Sequence, residues 1–298
     1  MKINLAVQIT VTNMGIVYTL LIVLLFGLVE GITEWLPVSS TGHMILIEEF
    51  IDINKLFPST IEGYSDSLWE FFLVVIQLGA VMAVVVYFFK KLWPFSKDKS
   101  KEEVKDTFVL WGKALVACLP AAIIGLLFDD ILDEYLYNGL TVSITLIIYG
   151  VLFILMETLF KQKNKITSIK ELSFKYALII GVIQLLALIP GTSRSGVTIL
   201  GAMMIGCSRE VSAEFSFYLS IPVMAGASLL KALKFVVDFG LPETNHLLIC
   251  ILGMVIAFVV SLVCVKWLMN FVKKHNFKPF GIYRICLGLL VLFFFLFK

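Results

Sequence analysis

The sequence predicts an all-α polytopic membrane protein built as an inverted repeat. Each half is expected to carry one re-entrant helix hairpin plus three transmembrane helices. Three observations lead there. Hydrophobic residues make up 59% of the chain and charged residues only 15%, with a mean hydropathy of +0.97, far from the balance of a soluble domain. Several apolar runs reach the roughly 20 residues needed to cross a bilayer. Two polar turns, each set inside hydrophobic sequence, align with one another at an offset of 154 residues.

The first turn lies in Gly27–His43, where Glu30 and Glu34 sit in an apolar run that breaks at Pro37 into Ser39, Ser40, Thr41, Gly42 and His43. The second lies in Gly181–Gly196, which ends Pro190-Gly191-Thr192-Ser193-Arg194-Ser195-Gly196. At that offset Gly27 meets Gly181, Glu30 meets Gln184, Ser39 meets Ser193 and Gly42 meets Gly196, while Pro37 and Pro190 fall one position out of step. The repeat continues at an offset of 144, where Glu70-Phe71 meets Glu214-Phe215 and Lys90 meets Lys234.

The first repeat spans residues 1–165, with a hairpin over about 16–50 and helices over about 68–90, 108–128 and 140–160. The second spans 166–298, with a hairpin over about 173–208 and helices over about 211–237, 246–271 and 280–297. Both belong to one integral membrane domain. Lys2 is the only charge before Glu30 and no small-residue cleavage site follows, so the N-terminus does not read as a cleaved signal. Trp69 and Trp93 are expected as interfacial anchors, and Pro120 and Pro222 as helix kinks. The five cysteines lie in apolar segments without a CxxC and read as plain buried thiols. No nucleic-acid signature appears.

Charge sets the expected topology. Lys97, Lys99, Lys101, Lys105 and Lys113 form one basic loop region, and Lys161, Lys163, Lys165, Lys170 and Lys175 another. Acidic loops carry Glu48, Glu49, Asp52, Glu62 and Asp66, and then Asp129, Asp130, Asp133 and Glu134. If 173–189 crossed fully, Lys266, Lys273, Lys274, Lys278 and Arg284 would fall outside, against the positive-inside rule. A hairpin that dips in and returns puts every basic cluster on one side. The repeat extends this reading to the first half, and three crossings per half invert the halves, bringing broken helices together near the midplane.

Non-helical backbone at membrane depth needs protein or a wet cavity around it. Each turn precedes a helix that opens with hydroxyl residues, natural N-caps, and a helix N-terminus attracts anions. Two such ends, lined by Ser39, Thr41, Thr192, Ser193, Ser195 and Gly196, with Arg194 on one, would cradle a phosphate-rich group; arginine binds such oxygens with a planar fork. The plainer reading makes Arg194 a structural partner of Glu30 or Glu34. Those two carboxylates lie on one helix face about 6 Å apart along the axis, so they share a proton, bind a hard cation such as Mg²⁺ or Ca²⁺, or hydrogen-bond the opposite turn. Ser40 is the candidate nucleophile and His43 the candidate general base or acid. Gln77 and Gln184 are expected to bond to the turns, and His246 and His275 to be solvated near the membrane surfaces.

The motifs E-G-x-T-E-x-L-P-V-S-S-T-G-H and P-G-T-S-R-S-G, with Val75–Gly79 between them, resemble those of the BacA family of undecaprenyl-diphosphate phosphatases over nearly the whole chain. The resemblance implies hydrolysis of undecaprenyl diphosphate to undecaprenyl phosphate and inorganic phosphate, recycling the carrier of peptidoglycan synthesis and conferring bacitracin resistance. It implies a divalent cation held by Glu30 and Glu34, catalysis by Ser40, His43, Glu30, Glu34 and Arg194, a bacterial plasma membrane and a site open to the outer face. Thr192 stands where the family often has an aromatic residue, and the leader is longer than usual. Type-2 phosphatidic acid phosphatases are excluded, because the next histidine after Ser193-Arg194 is the distant His246. A lipid-phosphate flippase using the same midplane site is the alternative. The sequence leaves the oligomeric state open, a homodimer included, as well as the choice between Ser40 and a metal-bound water as attacking group.

Overall fold

A computed structural model describes residues 2–159 and 165–298, with the side chains of 2–14, Asp129, Asp130 and Asp133 outside the description. Lys161 and Lys163 of the expected basic loop also lie outside the described residues. The described chain is helical: α1 Lys2–Thr33, α2 Ser40–Glu48, α3 Ile53–Leu56, α4 Tyr64–Tyr87, α5 Phe89–Leu92, α6 Lys101–Leu136, α7 Gly139–Leu159, α8 Phe174–Gln184, α9 Arg194–Met204, α10 Arg209–Phe239, α11 Thr244–Val272 and α12 Lys278–Phe297. One 3₁₀ turn, Leu185–Leu188, continues α8. Seven of these helices are long and apolar enough to cross a membrane: α1 over Gly15–Thr33, then α4, α6, α7, α10, α11 and α12. The chain is an all-α polytopic membrane protein.

Helices α2, α8 and α9, at 9, 11 and 11 residues, are about 14–17 Å long, roughly half the hydrocarbon thickness. The first hairpin is asymmetric, because α1 has the length of a crossing helix and only its return arm is short. Helix α6 runs past its expected span at both ends. Its polar start is fixed by a capping box in which Ser100 N–H donates to Glu103 Oε2 and Glu103 N–H to Ser100 Oγ. Hydropathy sees only the apolar middle of such a helix.

Helix α1 packs on α11, and α8 packs on α6. Repeat-matched glycines make both approaches close. A Cβ at Gly27 would lie 2.8 Å from Ile256 Cγ2, and one at Gly181 only 2.3 Å from the Ala117 carbonyl oxygen. Helices α7 and α12 meet in the same fashion, where a Cβ at Gly150 or Gly281 would fall 2.7 Å from the other glycine's carbonyl oxygen. Small residues let helix backbones approach where lipid supplies no hydrophobic drive between helices. Helix α10 packs on α4, α6 and α9, and Trp35, fully buried, stands edge-on to its Phe217 at 5.3 Å. At one end of the bundle, buried Glu157 of α7 takes both Nε–H and Nη2–H of Arg209 and the backbone N–H of Phe277, tying α7, α10 and α12 together.

Several expected surface residues are interior. Trp69 is buried, stacks on Phe72 and donates Nε1–H to Glu48, whereas Trp93 is exposed. His246 is buried beside Phe57 and pairs with the Tyr64 hydroxyl at 3.3 Å, so it is not solvated. Among the cysteines, Cys207 and Cys250 are buried but Cys286 is exposed. All five are free.

The glycine contacts make a differential test. Gly181→Ala drives a methyl into the Ala117 carbonyl and should lower the melting temperature of the detergent-purified protein by several degrees. Gly226→Ala, where an added Cβ meets nothing within 4 Å, should leave it unchanged or raise it, since alanine gains up to about 1 kcal/mol of helix propensity.

Candidate active site

Each polar turn is built by the same local rule. Proline at 37 and 190 disfavours helix in the residue before it, and a serine of positive φ then precedes each following helix, with Gly191 adding a second positive φ (85°) in the second turn. The serines are Ser39 at φ 75° and Ser193 at φ 70°, the only non-glycine residues of positive φ among those described. Such a backbone costs on the order of 1–3 kcal/mol. Each serine then caps the following helix, Ser39 Oγ accepting from Gly42 N–H and Ser193 Oγ from Gly196 N–H, both at 3.2 Å. The N–H of Gly196, expected to face a ligand, is therefore taken by its own cap. The first two N–H groups of each helix, those of Ser40 and Thr41 and of Arg194 and Ser195, lie beyond any intrahelical bond.

Glu34 joins the two turns. Its Oε1 pairs with Arg194 Nη2 at 2.9 Å, its Oε2 accepts from Ser40 Oγ at 3.0 Å, and its backbone carbonyl accepts from Ser195 Oγ at 3.0 Å. Arg194 also donates Nη1–H to the Ser216 carbonyl on α10 and lies 5.8 Å from the Trp35 ring. Its Nε–H is buried and has no partner among the described residues. The acid, the candidate nucleophile and the arginine, drawn from both halves, thus meet at one carboxylate. Ser193 and Ser195 hydroxyls lie 3.2 Å apart. Thr192 is turned inward, donating to the Ile189 carbonyl at 2.8 Å, and serves the turn.

His43 lies in the first turn with both ring nitrogens partnered. Its Nδ1 lies 2.7 Å from the Ser39 carbonyl, which can only accept, so Nδ1 carries the proton. Nε2 then accepts from the Tyr283 hydroxyl of α12, also at 2.7 Å, and the two rings stack. Neither ring nitrogen is bonded to Ser40; in this structure the acidic partner of Ser40 is Glu34. One turn of helix earlier, Glu30 is buried with its Oε1 unpartnered. Gln184, which aligns with it in the repeat, is buried with neither amide atom bonded among the described residues, so its expected bond to the turns is not made. A buried carboxylate oxygen without a donor, one turn from a second carboxylate, fits a hard cation.

Arg284 belongs to this site, not to the surface basic cluster in which the charge pattern placed it. It is fully buried. Nη2 donates to the carbonyls of Gly191 and Thr192 at 2.8 and 3.0 Å, and Nη1 to the Pro37 carbonyl at 3.4 Å, with the Tyr149 ring 5.7 Å away. One guanidinium therefore clasps both turns. The signal was legible as an arginine inside a 20-residue apolar helix, since ionisable residues at membrane depth are functional by default. Ser216 was missed too; nothing marks it, because a backbone carbonyl does the bonding.

A polytopic helical membrane protein with two capped helix starts, an arginine and a carboxylate pair in its interior is built to handle an anionic group at membrane depth. Residues 23–290 match the model of the family described as bacitracin resistance protein BacA, and the chain belongs to that family. An undecaprenyl-diphosphatase of Acetivibrio thermocellus is 59% identical over 273 residues, covering 91% of this chain and 95% of that one. One from Enterococcus faecalis is 53% identical over 278 residues, covering 92% and 97%. Another, from Streptococcus mutans, is 48% identical over 276 residues, covering 92% and 95%.

Removing the clasp should separate structure from chemistry. Arg284→Met leaves three carbonyls without their donor, and charged hydrogen bonds contribute about 1.5–3 kcal/mol each. The variant should melt well below the parent protein in a thermal unfolding assay. Arg284→Lys, which keeps the charge but cannot fork between the turns, should recover only a minor part of the loss.

Proposed function

We propose that this protein is an undecaprenyl-diphosphate phosphatase, a hydrolase that releases inorganic phosphate and returns undecaprenyl phosphate to peptidoglycan synthesis. The same activity underlies bacitracin resistance. The observation that carries this reading is the meeting of Ser40, Glu34 and Arg194 at one buried carboxylate, in a chain whose relatives bear the name of that activity. Transport of a lipid phosphate without chemistry is not favoured, because a binding site alone needs no hydroxyl held on a carboxylate.

Ser40 Oγ attacks the terminal phosphorus and passes its proton to Glu34 Oε2, the oxygen it already contacts. The bond from that phosphorus to the bridging oxygen breaks, and undecaprenyl phosphate leaves as an anion. Water then attacks the phosphoserine while Glu34 returns the proton it took to the departing Ser40 Oγ, and the water's protons leave on the released phosphate. Arg194 exchanges its fork from Glu34 to the phosphate oxygens, with its free Nε–H available from the start. The free N–H groups at the starts of α2 and α9 stabilise developing negative charge. His43 and Tyr283 form a pair that orients the first turn through Ser39. Glu30 and Glu34 are the residues that would hold a divalent cation such as Mg²⁺ or Ca²⁺, which would neutralise diphosphate charge.

On this reading the basic loops face the cytoplasm of a bacterial plasma membrane and the site opens to the outer face, a placement that the segregation of basic from acidic loops supports. In a Cys286→Ser background, which removes the exposed native thiol, single cysteines at Thr60 and Lys97 should react from opposite sides of intact cells. Reaction of both with an impermeant reagent overturns the arrangement.

The chemistry has its own test in phosphate release by purified protein in detergent. Ser40→Ala should lose activity by orders of magnitude with little change in melting temperature. Ser39→Ala should instead lose about 1 kcal/mol of stability. Arg194→Lys should fall about ten- to a hundredfold, the scale of a lost charged fork. Glu30→Gln should raise the cation concentration giving half the maximal rate. Substantial turnover by Ser40→Ala would move the attack to water.

A further inference from the structure

One face of α10 runs from Ser216, whose carbonyl holds Arg194, through Ser220, Val223, Ala227 and Lys231 to Lys234 and Asp238, at helical spacings of three and four. From Pro222 onward this face lines an open cavity of about 780 Å³, with residues of α4 and α6 on its other walls and Leu188 of the 3₁₀ turn among them. That is within the roughly 300–1,000 Å³ of ligand sites. The walls from α6 are apolar, and two glycines keep the interior open. A Cβ at Gly226 meets nothing within 4 Å, and one at Gly125 meets only Leu188 Cδ2, at 3.8 Å.

Four charged side chains from two helices line the same cavity: Glu70 of α4, and Lys231, Lys234 and Asp238 of α10. None is hydrogen-bonded or ion-paired to a described residue. Their repeat counterparts behave otherwise. Glu214, which aligns with Glu70, is buried and bonded to Lys91 at 2.6 Å, and it also accepts from the Tyr218 hydroxyl. Lys91 neighbours Lys90, the counterpart of Lys234. The same sequence elements thus close on themselves in one half and stand open around a cavity in the other.

Helix α10 has 31 residues and is about 46 Å long, against a hydrocarbon core of about 30 Å. Its final turns therefore reach the headgroup layer, and these turns carry Lys231, Lys234 and Asp238. An occupant must place at least one hydrocarbon chain in the apolar part and balanced charge at the mouth. A purely anionic head would meet Lys231 and Lys234 but be opposed by Glu70 and Asp238. A trimethylated ammonium would give the carboxylates no N–H to accept. A primary ammonium beside a phosphate satisfies all four by charge-assisted hydrogen bonds.

We propose that the cavity between α4, α6 and α10 binds a phospholipid with an ethanolamine-type headgroup, the phosphate on Lys231 and Lys234 and the primary ammonium on Glu70 and Asp238. This site contains none of the residues assigned to hydrolysis, and binding, not turnover, is its readout.

Native mass spectrometry of the detergent-purified protein with equal amounts of dioleoyl phosphatidylethanolamine, phosphatidylcholine and phosphatidylglycerol reads it directly. The ethanolamine lipid should be retained at least about tenfold more strongly than either of the others, the effect of about 1.4 kcal/mol. Lys231→Gln with Lys234→Gln should remove that retention. Glu70→Gln with Asp238→Asn should invert the preference towards phosphatidylglycerol. Gly226→Phe, which fills the open space, should abolish bound lipid at unchanged melting temperature. Equal retention of all three lipids by the parent protein, or a preference for phosphatidylglycerol, overturns the proposal. So does an ethanolamine lipid adduct that survives in a folded Gly226→Phe variant; should that variant not fold, the two charge-paired variants decide in the same way.

Discussion

The carbonyl oxygens of Pro37, Gly191 and Thr192 converge on the guanidinium of Arg284, and the interior of the protein depends on that convergence. Chain that leaves the helix at membrane depth exposes polar backbone that lipid cannot satisfy. Here the two breaks are placed against each other, and one buried cation answers both. An arginine suits the task because its donors radiate in a plane and it stays protonated when dry. The repeat explains why the breaks match, but Arg284 has no counterpart and joins them from α12 alone.

Within that frame Glu34 does several things at once. It fixes Arg194, positions the Ser40 hydroxyl, and through its backbone carries Ser195 of the opposite turn. The ion pair is nearly buried, and such pairs add little net stability while their disruption is expensive. Its value lies in geometry: the acid, hydroxyl and arginine are in register before any phosphate arrives. Phosphate oxygens can replace the carboxylate on Arg194, so the resting site mimics in part the charge pattern of the loaded one.

Much of this was legible in the sequence. The repeat offset of 154 matched Ser39 with Ser193 and Gly27 with Gly181, and the structure gives each pair the same role: strained caps in one case, close helix crossings in the other. The hydroxyl and acid motifs marked Ser40, Glu34 and Arg194, which do come together. What escaped depends on facing directions that one-dimensional patterns do not carry. Charge counting put Arg284 at the surface because its neighbours in the sequence are lysines, although its helix turns it inward. Trp69 and His246 read as interfacial for the same reason, and both find interior partners on other helices. His43, expected as acid or base because it lies in a polar turn beside hydroxyls and two acids, meets Tyr283 of α12, a partner that no pattern along the chain indicates.

The packing of α1 on α11 and of α8 on α6 has a consequence for biogenesis. Arg194 follows its partner Glu34 by 160 residues, and α11, on which α1 rests, is made later still. A chain emerging N-terminus first must therefore hold Glu30 and Glu34 in or near the bilayer while most of the protein is still unsynthesised. Contacts so distant in sequence form slowly, because a long loop has to close before any of them is gained. Until then Glu34 lacks the Arg194 that pairs with it in the finished structure. Helix α12 brings Arg284 and completes the clasp, so the turns can lock only after α12 has been made.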